Sequence, residues 1–208
     1  MQAAGAAPGT IRTGGRTARV RAAVLDAALR ELAEHGYATL CVEHIAERSG
    51  VHKTTIYRRW QSKDAVLAEA IADLVETLFP IPVTDSIDAD LRAFARALVD
   101  LLTSADPLVV GTIRALFSDA AADPRIAELK RDLYARRYEE ARAMIHAAIT
   151  QGQLPADTDV RELVGLVTAP VYYRLLVTEE PLNRAVADRA AATALTAVRA
   201  GACRRPTE

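Results

Sequence analysis

The 208-residue chain has few cysteines, no long apolar run and no signal sequence, the features that distinguish secreted and membrane proteins. Its two cysteines, Cys41 and Cys203, lie far apart in sequence and suggest neither a disulfide framework nor a zinc motif, which favours a reduced, intracellular setting. No apolar run approaches the ~18 residues that a membrane-spanning helix needs. Residues 1–16 lack the apolar core of a secretory signal. A soluble, cytoplasmic protein that does not enter a membrane is therefore expected.

Signatures of catalysis are also lacking. The sequence has no glycine-rich phosphate loop, no nucleophile and base at a recognisable spacing, and no cluster of metal ligands. The acidic run of Asp85, Asp88 and Asp90 lacks the glycine and terminal glutamate of a calcium loop, so it is interpreted as capping and solvation. We expect no catalytic residues, no metal and no cofactor. An all-helical enzyme or carrier with a basic N-terminal surface is the competing hypothesis.

Charges of opposite sign are separated along the chain. Residues 1–63 contain ten Lys and Arg against five Asp and Glu, a net charge of +5, whereas the remainder carries −6 and the total is −1. A basic first third followed by an acidic remainder indicates a nucleic-acid-facing module joined to a second unit.

Apolar periodicity predicts an all-α fold of about nine helices, since alternating β-branched runs are few and Asn-Gly hairpins are missing. Asp106-Pro107 and Asp123-Pro124 each offer a capping side chain followed by a proline at the first helical position. Asp159 with Glu162 is typical of a capping box. The predicted helices span about 17–36, 42–48, 52–59, from Ser62 towards Pro80, 88–104, 107–120, 124–150, from Asp159 to 178, and from Pro181 to 200.

A helix-turn-helix motif fits the stretch from about 41 to 60. Ala46, Gly50 and Ile56 supply, at fixed spacing, a small residue where two helices cross, a turn residue that tolerates positive φ, and an apolar residue that points back. The segment after Gly50 is basic and aromatic, and its first turn is the end that enters a major groove in such motifs. Trp60 continues the apolar face of Ile56 and is predicted to lie in the core.

The stretch "ALRELAEHGYATLCVEHIAERSGVHKTTIYRRWQSKDAVL" resembles the DNA-binding domain of the TetR family of bacterial transcriptional regulators. The matching pieces are "HGY", "VEHIAERSGV", "TTIYRRW" and "SKDAVL", and the later "APVYYRLLVTEEPL" resembles a segment of one branch of the family's ligand-binding domains. The chain is accordingly divided into a flexible basic arm at 1–16, a helix-turn-helix DNA-binding domain at 17–63, and a helical regulatory and dimerisation domain at 64–208.

The resemblance implies which residues contact DNA. It assigns the first turn of the second motif helix to base edges, and Tyr57 and Lys63 to phosphates, where a helix N-terminus and an ammonium group together attract an anion. Cys41 stands where the family generally has Thr or Ser, and Thr39 is the candidate substitute because a thiol hydrogen-bonds weakly. Arg16 either enters a minor groove or keeps the terminus soluble. The predicted DNA-contacting residues are Arg16, Thr39, Cys41, His52, Lys53, Thr54, Thr55, Tyr57, Arg58 and Lys63.

A dimer is expected because one motif covers too few base pairs for a genomic address. The last two helices carry apolar and small residues that suit a four-helix bundle between two copies. The predicted dimer contacts are Leu163, Leu166, Val167, Val171, Leu182, Val186, Ala190 and Ala194. The resemblance further implies an apolar pocket in the middle helices. The candidate pocket residues are Phe94, Leu98, Ile113, Phe117, Tyr134, Tyr138, Tyr172 and Tyr173.

These expectations together describe a homodimeric regulator that binds double-stranded operator DNA. We expect a repressor that a small apolar or amphipathic effector releases from a palindromic operator. A regulator that needs no effector, or an activator released by its ligand, is the alternative.

Overall fold

The computed structural model describes residues 14–118 and 123–205, and within these ranges the chain forms nine α-helices and no β-strand, which confirms the predicted all-α fold. The helices are α1 (Gly14–His35), α2 (Val42–Ser49), α3 (Lys53–Trp60), α4 (Lys63–Leu78), α5 (Ile87–Leu102), α6 (Pro107–Phe117), α7 (Pro124–Thr150), α8 (Val160–Tyr173) and α9 (Arg184–Arg199). A π-helical turn, Arg174–Thr178, continues α8. No helix in the described ranges is long and apolar enough to cross a bilayer.

Side-chain caps set where the helices begin. Asp106 and Asp123 accept hydrogen bonds from the backbone N–H of the second residue of α6 and α7, at 2.8 and 2.9 Å, and the first residue of each helix is a proline. Ser62 caps α4 by accepting from the Ala65 N–H at 3.1 Å. Each cap satisfies a backbone donor that the first helical turn leaves unpaired. The starts predicted at these three helices are therefore confirmed.

Two helix starts differ from the prediction by more than one residue. Helix α1 begins at Gly14, so Arg16 lies in its first turn and not in an arm, while residues 1–13 of the predicted arm lie outside the described residues. Helix α9 begins at Arg184, because the Asn183 side chain caps it by accepting from the Val186 N–H at 3.1 Å. Pro181 was predicted to open that helix and instead lies before its cap.

The predicted capping box at α8 forms only in part. The Asp159 carboxylate accepts from the N–H groups of Arg161 and Glu162 at 2.8 and 3.0 Å, as expected. The Asp159 N–H donates to the carbonyl of Cys203 at 2.6 Å, so the return bond predicted from Glu162 is replaced by a contact with the chain after α9.

Helices α1, α2 and α3 pack into a three-helix head around Val24, Ala28, Ile45 and Ile56, each at most 1% exposed. Trp60 is buried as predicted, and its indole N–H donates to Glu69 Oε2 at 2.6 Å. Because Trp60 ends α3 and Glu69 belongs to α4, this hydrogen bond joins the last helix of the head to the helix that follows it.

Helices α5 to α9 form the body, in which α9 packs against both α5 and α8. The head and the body meet along α4 and where α6 crosses α1. At that crossing the backbones nearly touch, because a Cβ atom placed on Gly111 of α6 would lie 2.5 Å from both Cα and Cβ of Ala33. Any other residue at position 111 forces the two helices apart, so this glycine sets the distance between body and head.

Candidate functional site

The turn between α2 and α3 has the geometry of a helix-turn-helix. Gly50 ends α2 with φ of 65°, a left-handed conformation that costs a residue with a Cβ atom about 1–2 kcal/mol. His52 then caps α3, with its Nδ1 accepting from the Thr54 N–H at 3.4 Å and lying 2.9 Å from the Thr54 hydroxyl oxygen. The turn therefore presents His52 and the first residues of α3 together at one end of the helix.

One face of α3 is exposed and the opposite face is buried. Lys53, Thr54, Tyr57 and Arg58 lie on the exposed face, while Ile56 on the other side is 1% exposed. Tyr57 exposes 43% of its surface although it is a large aromatic residue. Within the described chain, the side chains of Lys53, Tyr57 and Arg58 make no hydrogen bond or ion pair. These donors are therefore available to an acceptor such as a phosphate.

The neighbouring Arg59 is engaged within the head. Its guanidinium lies 3.7 Å from Glu69 and its Cζ lies 4.9 Å from the centroid of the Trp60 ring. Of the two adjacent arginines, Arg59 is thus the one that pairs with a carboxylate of the chain. Arg16 and Arg58 line one groove between the start of α1 and α3, together with His52 and Thr55.

Lys63, the predicted phosphate ligand at the start of α4, makes its polar contacts with the turn after α1. Its ammonium group donates to the carbonyls of Tyr37 and Leu40 at 3.2 and 2.8 Å and lies 4.2 Å from the centroid of the Tyr37 ring. Carbonyls beyond the end of α1 have no helical partner and attract a cation. In this arrangement Lys63 joins α4 to the turn after α1 and does not extend the exposed face of α3.

Thr39 and Cys41 lie on that same turn before α2. The Thr39 hydroxyl donates to the His35 carbonyl at 2.9 Å and the residue is exposed. Cys41 occupies the N-cap position of α2, where its thiol makes no capping hydrogen bond with the described residues, in keeping with the weak hydrogen bonding of a thiol.

A second candidate site is a cavity of about 60 Å³ between the body helices and α4. Most of its wall is apolar, and its polar groups are contributed by Thr112, Tyr134, Arg137 and Tyr172. Its lining residues are Leu74, Val75, Phe79, Leu101, Leu102, Val109, Thr112, Ile113, Leu116, Phe117, Leu133, Tyr134, Arg137 and Tyr172.

The eight predicted pocket residues separate into two groups. Ile113, Phe117, Tyr134 and Tyr172 line the cavity, whereas Phe94, Leu98, Tyr138 and Tyr173 do not. Phe94 is buried against Phe79, with ring centroids 4.7 Å apart, and Leu98 is 1% exposed in the core. The Tyr138 ring lies under Arg161, and Tyr173 is 58% exposed on the outer surface. The sequence identified these residues as apolar or aromatic but did not indicate which helix faces converge.

The two tyrosines of the cavity share a hydrogen bond. The Tyr134 and Tyr172 hydroxyl oxygens lie 2.8 Å apart, and the Tyr172 ring also packs against Phe117 with centroids 5.4 Å apart. Burial raises the pKa of Tyr134 above its ordinary value and that of Tyr172 well above it, because a phenolate would lose its hydration. Both groups are therefore neutral hydrogen-bond donors at physiological pH.

Arg137 is a charged residue of the cavity wall that the sequence reasoning missed. Its side chain is 12% exposed, and burial lowers the pKa of its guanidinium, which nevertheless stays charged. The signal was available, because Arg137 follows Leu133 by four residues and precedes Ala141 by four, and so occupies the apolar stripe of α7. Arginine is rarely buried unless it is paired, so this position suggests that Arg137 binds a polar or anionic group inside the body.

Most of the predicted dimer contacts are buried within the single chain, which corrects that prediction. The six residues concerned are at most 4% exposed: Leu163, Val167, Val171, Val186, Ala190 and Ala194. Leu166 is 39% exposed and Leu182 is partly exposed. Helix α8 is apolar on two sides, and the stripe chosen from the sequence is the side that packs inside the chain. The outer side continues into Tyr173, Leu176 and Val177, which are 51–64% exposed.

Among the described residues, no group of three or more His, Cys, Asp or Glu is placed to hold a metal ion. His44 and His35 lie instead near the buried carboxylate of Glu31, at 3.8 and 3.4 Å, and Arg48 donates to the same carboxylate at 2.6 Å.

The head and its exposed α3 define a helix-turn-helix DNA-binding protein with a helical C-terminal body. Residues 24–70 match the family profile described as bacterial regulatory proteins, tetR family. Residues 81–194 match the profile described as tetracyclin repressor-like, C-terminal domain. The chain therefore belongs to the TetR family of transcriptional regulators, as the resemblance in the sequence predicted.

Individual relatives extend this similarity over most of the chain. The chain is 32% identical over 162 residues to the uncharacterized HTH-type transcriptional regulator YdeS of Bacillus subtilis (strain 168), covering 77% of this chain and 80% of that protein. It is 30% identical over 173 residues to the HTH-type transcriptional regulator AqdR of Rhodococcus erythropolis, covering 81% of each. The solved structure of the TetR family transcription regulator SCO0332 matches with a TM-score of 0.69 and 34% identity, covering 86% of this chain and 98% of that one.

Proposed function

We propose that this chain is a homodimeric transcriptional repressor that leaves a palindromic operator when a small amphipathic molecule occupies the cavity. The observation that carries the proposal is the contact between α6 and α1. Helix α6 contributes Val109, Ile113 and Phe117 to the cavity wall, and its Gly111 lies against Ala33 of the head. The cavity and the DNA-binding head are thus separated by the width of one helix.

A ligand in the cavity has a direct mechanical route to the head. Gly111 and Ala33 have no intervening side chain, and the guanidinium of Arg114 donates to the Ala33 carbonyl at 3.0 Å, so α1 follows a shift of α6. Leu74 and Val75 of α4 also line the cavity. Helix α4 directly follows α3, so it gives a second route to the head. Release needs only that the ligand prefer the displaced state by about 1–3 kcal/mol per site.

For DNA, we assign the exposed face of α3 to the major groove. His52 and Thr54 at the start of the helix suit base edges, while Tyr57 and Arg58 suit phosphates. Two such helices in a dimer have to lie about 34–36 Å apart to meet successive major grooves. A ligand-driven movement of either head changes this spacing and so weakens operator binding.

For the dimer, we assign the outer apolar side of α8 and the π-helical turn to the interface. Leu166, Tyr173, Leu176 and Val177 are large apolar residues exposed on α8 and the turn that continues it, and exposed apolar surface favours a protein partner. The two-fold symmetry of a homodimer would bring this surface against its own copy.

A regulator without an effector is the second candidate, and the size of the cavity supports it. Sites for drug-sized ligands usually enclose about 300–1,000 Å³, several times the 60 Å³ found between these helices. An effector must therefore widen the cavity, whereas a constitutive regulator needs no such change.

Selection of bound sites from random DNA with the full-length protein tests the proposal. We expect an inverted repeat as the selected sequence and reduced transcription from a reporter promoter that overlaps it. Selection of a single half-site, or no binding to any duplex at low ionic strength, would contradict the dimeric operator complex. Increased transcription from the reporter would instead favour an activator.

A further inference from the structure

The few polar groups that line the cavity include hydrogen-bond donors that have no acceptor in the described part of the chain. Arg137 donates through Nη1 to Glu140 Oε2 at 2.6 Å and through Nη2 to the Phe79 carbonyl at 2.5 Å. Its Nε–H is buried and has no acceptor among the residues that the structure describes. A buried donor left without a partner costs about 1–3 kcal/mol, more when the group is charged, so an incoming acceptor is favoured there.

The tyrosine pair supplies a further donor. Two hydroxyl groups that share one hydrogen bond, as Tyr134 and Tyr172 do at 2.8 Å, use only one of their two protons between them. The Thr112 hydroxyl already donates to the Leu108 carbonyl at 2.8 Å. The remaining wall is apolar and includes the aromatic rings of Phe79 and Phe117.

The charges around Arg137 leave its guanidinium only partly compensated. Its partner Glu140 also accepts from Arg136 at 2.9 Å, so one carboxylate serves two guanidinium groups. The other carboxylate nearby is Glu76, which lies 3.3 Å from Arg136, is 68% exposed and is therefore well hydrated. The carboxylate of a ligand in the cavity would therefore meet a positive charge that is shielded from water, where a charge-assisted hydrogen bond is strong.

We propose that the cavity accepts an apolar organic acid, with the carboxylate bound by Arg137 and the tyrosine pair and with the hydrocarbon body against the aromatic wall. This assignment rests on the proposed function, because it names the class of the effector. It also deepens the regulation, since a ligand of this class exceeds 60 Å³ and must displace lining side chains to enter.

The same arginine connects the ligand to the head. Phe79 is the C-cap of α4, and its carbonyl accepts from Arg137 Nη2. A carboxylate that binds the guanidinium competes with this carbonyl for the donor. Binding of the acid therefore loosens the C-terminal end of α4, the helix whose other end enters the DNA-binding head.

The ligand class is tested with matched probes in which the same hydrocarbon carries either a carboxylate or a neutral hydroxymethyl group. Calorimetric titration of the full-length protein would compare decanoate with 1-decanol, and 2-naphthoate with 2-naphthylmethanol. We expect at least one acid to bind about tenfold or more tightly than its alcohol, the size of effect typical of a charge-assisted hydrogen bond. Failure of both acids to bind at about 1 mM, or equal affinities within both pairs, overturns the proposal.

The role of Arg137 is tested with Arg137→Gln and with Arg136→Gln as the matched control, since both arginines contact Glu140. We expect Arg137→Gln to reduce the preference for the acid to within about twofold and Arg136→Gln to leave it unchanged. A preserved preference in folded Arg137→Gln overturns the assignment. If that variant does not fold, Arg137→Lys keeps the charge but removes the Nε–H, and we expect the preference to fall at least about threefold. An undiminished preference in Arg137→Lys would likewise overturn it.

Operator release, followed by fluorescence anisotropy of the selected DNA, separates this inference from the proposed function. If acids and alcohols release the operator equally, effector-driven release stands and the carboxylate assignment fails. If the acid binds more tightly than the alcohol, and this preference depends on Arg137, but operator affinity is unchanged, the ligand class stands and the proposed release fails.

Discussion

Gly50 is the residue on which the helix-turn-helix geometry depends most directly. Its φ of 65° lies in the left-handed region, and no described atom lies within 4 Å of a Cβ added there, so the cost of a side chain is conformational and not steric. We expect Gly50→Ala to lower the free energy of unfolding by about 1–2 kcal/mol. Urea denaturation measures this loss. Gly50→Asn is the control, since asparagine tolerates this conformation, and a loss as large as that of alanine would contradict the explanation.

Arg58 on α3 and Lys63 at the start of α4 are both cations, but their surroundings differ. Arg58 is exposed on α3, whereas Lys63 donates to the carbonyls of Tyr37 and Leu40. We expect Arg58→Ala to weaken operator binding and to reduce the slope of log affinity against log salt by about 2, because the dimer loses one phosphate contact in each subunit. We expect Lys63→Ala to cost about 1–2 kcal/mol of stability and to leave that slope unchanged.

Affinities measured at several salt concentrations decide between these roles for the two cations. Arg142→Ala is a suitable control, because Arg142 pairs with Glu139 on the outside of α7, away from the head. A slope that falls for Lys63→Ala and not for Arg58→Ala would reverse the assignment.

Tyr37 makes the stability of the head sensitive to high pH. Burial, together with the hydrogen bond that its hydroxyl donates to Asp64 at 2.6 Å, raises the pKa of Tyr37 to about 12. The unfolded chain loses this proton near pH 10, so the stabilisation is complete below pH 10 and is lost as the pH rises towards 12. Over that range we expect a loss of about 2 kcal/mol, measured by chemical denaturation, that Tyr37→Phe largely removes. Tyr134, Tyr172 and Cys203, whose pKa values burial also raises, contribute to the dependence that remains. An unchanged profile for Tyr37→Phe would exclude this role.

The residues of the candidate DNA site were largely accessible from the sequence, because the motif is local. Gly50, Ile56 and Trp60 lie within eleven residues, and their spacing alone predicts which side of α3 is buried. The position of Lys63 was not accessible in this way, since its acceptors lie 23 and 26 residues earlier in the chain. A lysine beside a helix start has the same local pattern whether it faces a phosphate or a carbonyl.

At the scale of elements, the crossing of α6 and α1 depends on one glycine. Gly111→Ala places a Cβ atom 2.5 Å from the backbone of Ala33, which cannot move aside as a flexible side chain can. We expect a loss of about 1–3 kcal/mol in the free energy of unfolding, together with altered operator affinity, because the head must shift relative to the body. Val110→Ala on the same helix is the control, since Val110 is 49% exposed. Wild-type stability for Gly111→Ala would show that the two helices are not held at this distance.

The helices themselves were predictable where a cap and a breaker coincide. Asp106-Pro107 and Asp123-Pro124 fixed two helix starts to the residue, because an acceptor and a preset φ both favour the first turn. Pro181 misled the prediction of α9, since proline is compatible with a first turn but Asn183 supplies the cap. The cavity was not predictable to the residue, because its walls come from several helices whose relative rotation no local pattern specifies.

At the scale of the whole molecule, the outer surface of α8 explains why apolar periodicity misidentified the dimer contacts. Leu163, Val167 and Val171 repeat every four residues and form the most regular stripe, and a chain uses its most regular stripe for its own core. The second apolar side is less regular because it passes from Leu166 and Tyr173 of α8 to Leu176 and Val177 of the π-helical turn, where the helical repeat changes. A helix that has to pack both within and between chains carries two such sides, and only the folded chain distinguishes them.

The proposed dimer can therefore be tested with substitutions on the outer apolar side of α8 and the π-helical turn alone. We expect Val177→Asp to convert the dimer into a folded monomer, since Val177 is 64% exposed in the single chain and a charge there costs little until a partner covers it. Analytical ultracentrifugation measures the change, and operator affinity should fall by about 100-fold or more because one head binds only a half-site. Val83→Asp is the matched control, because Val83 is 52% exposed between α4 and α5 and lies away from this surface. A dimer that survives Val177→Asp, or one that Val83→Asp also disrupts, would require a different interface.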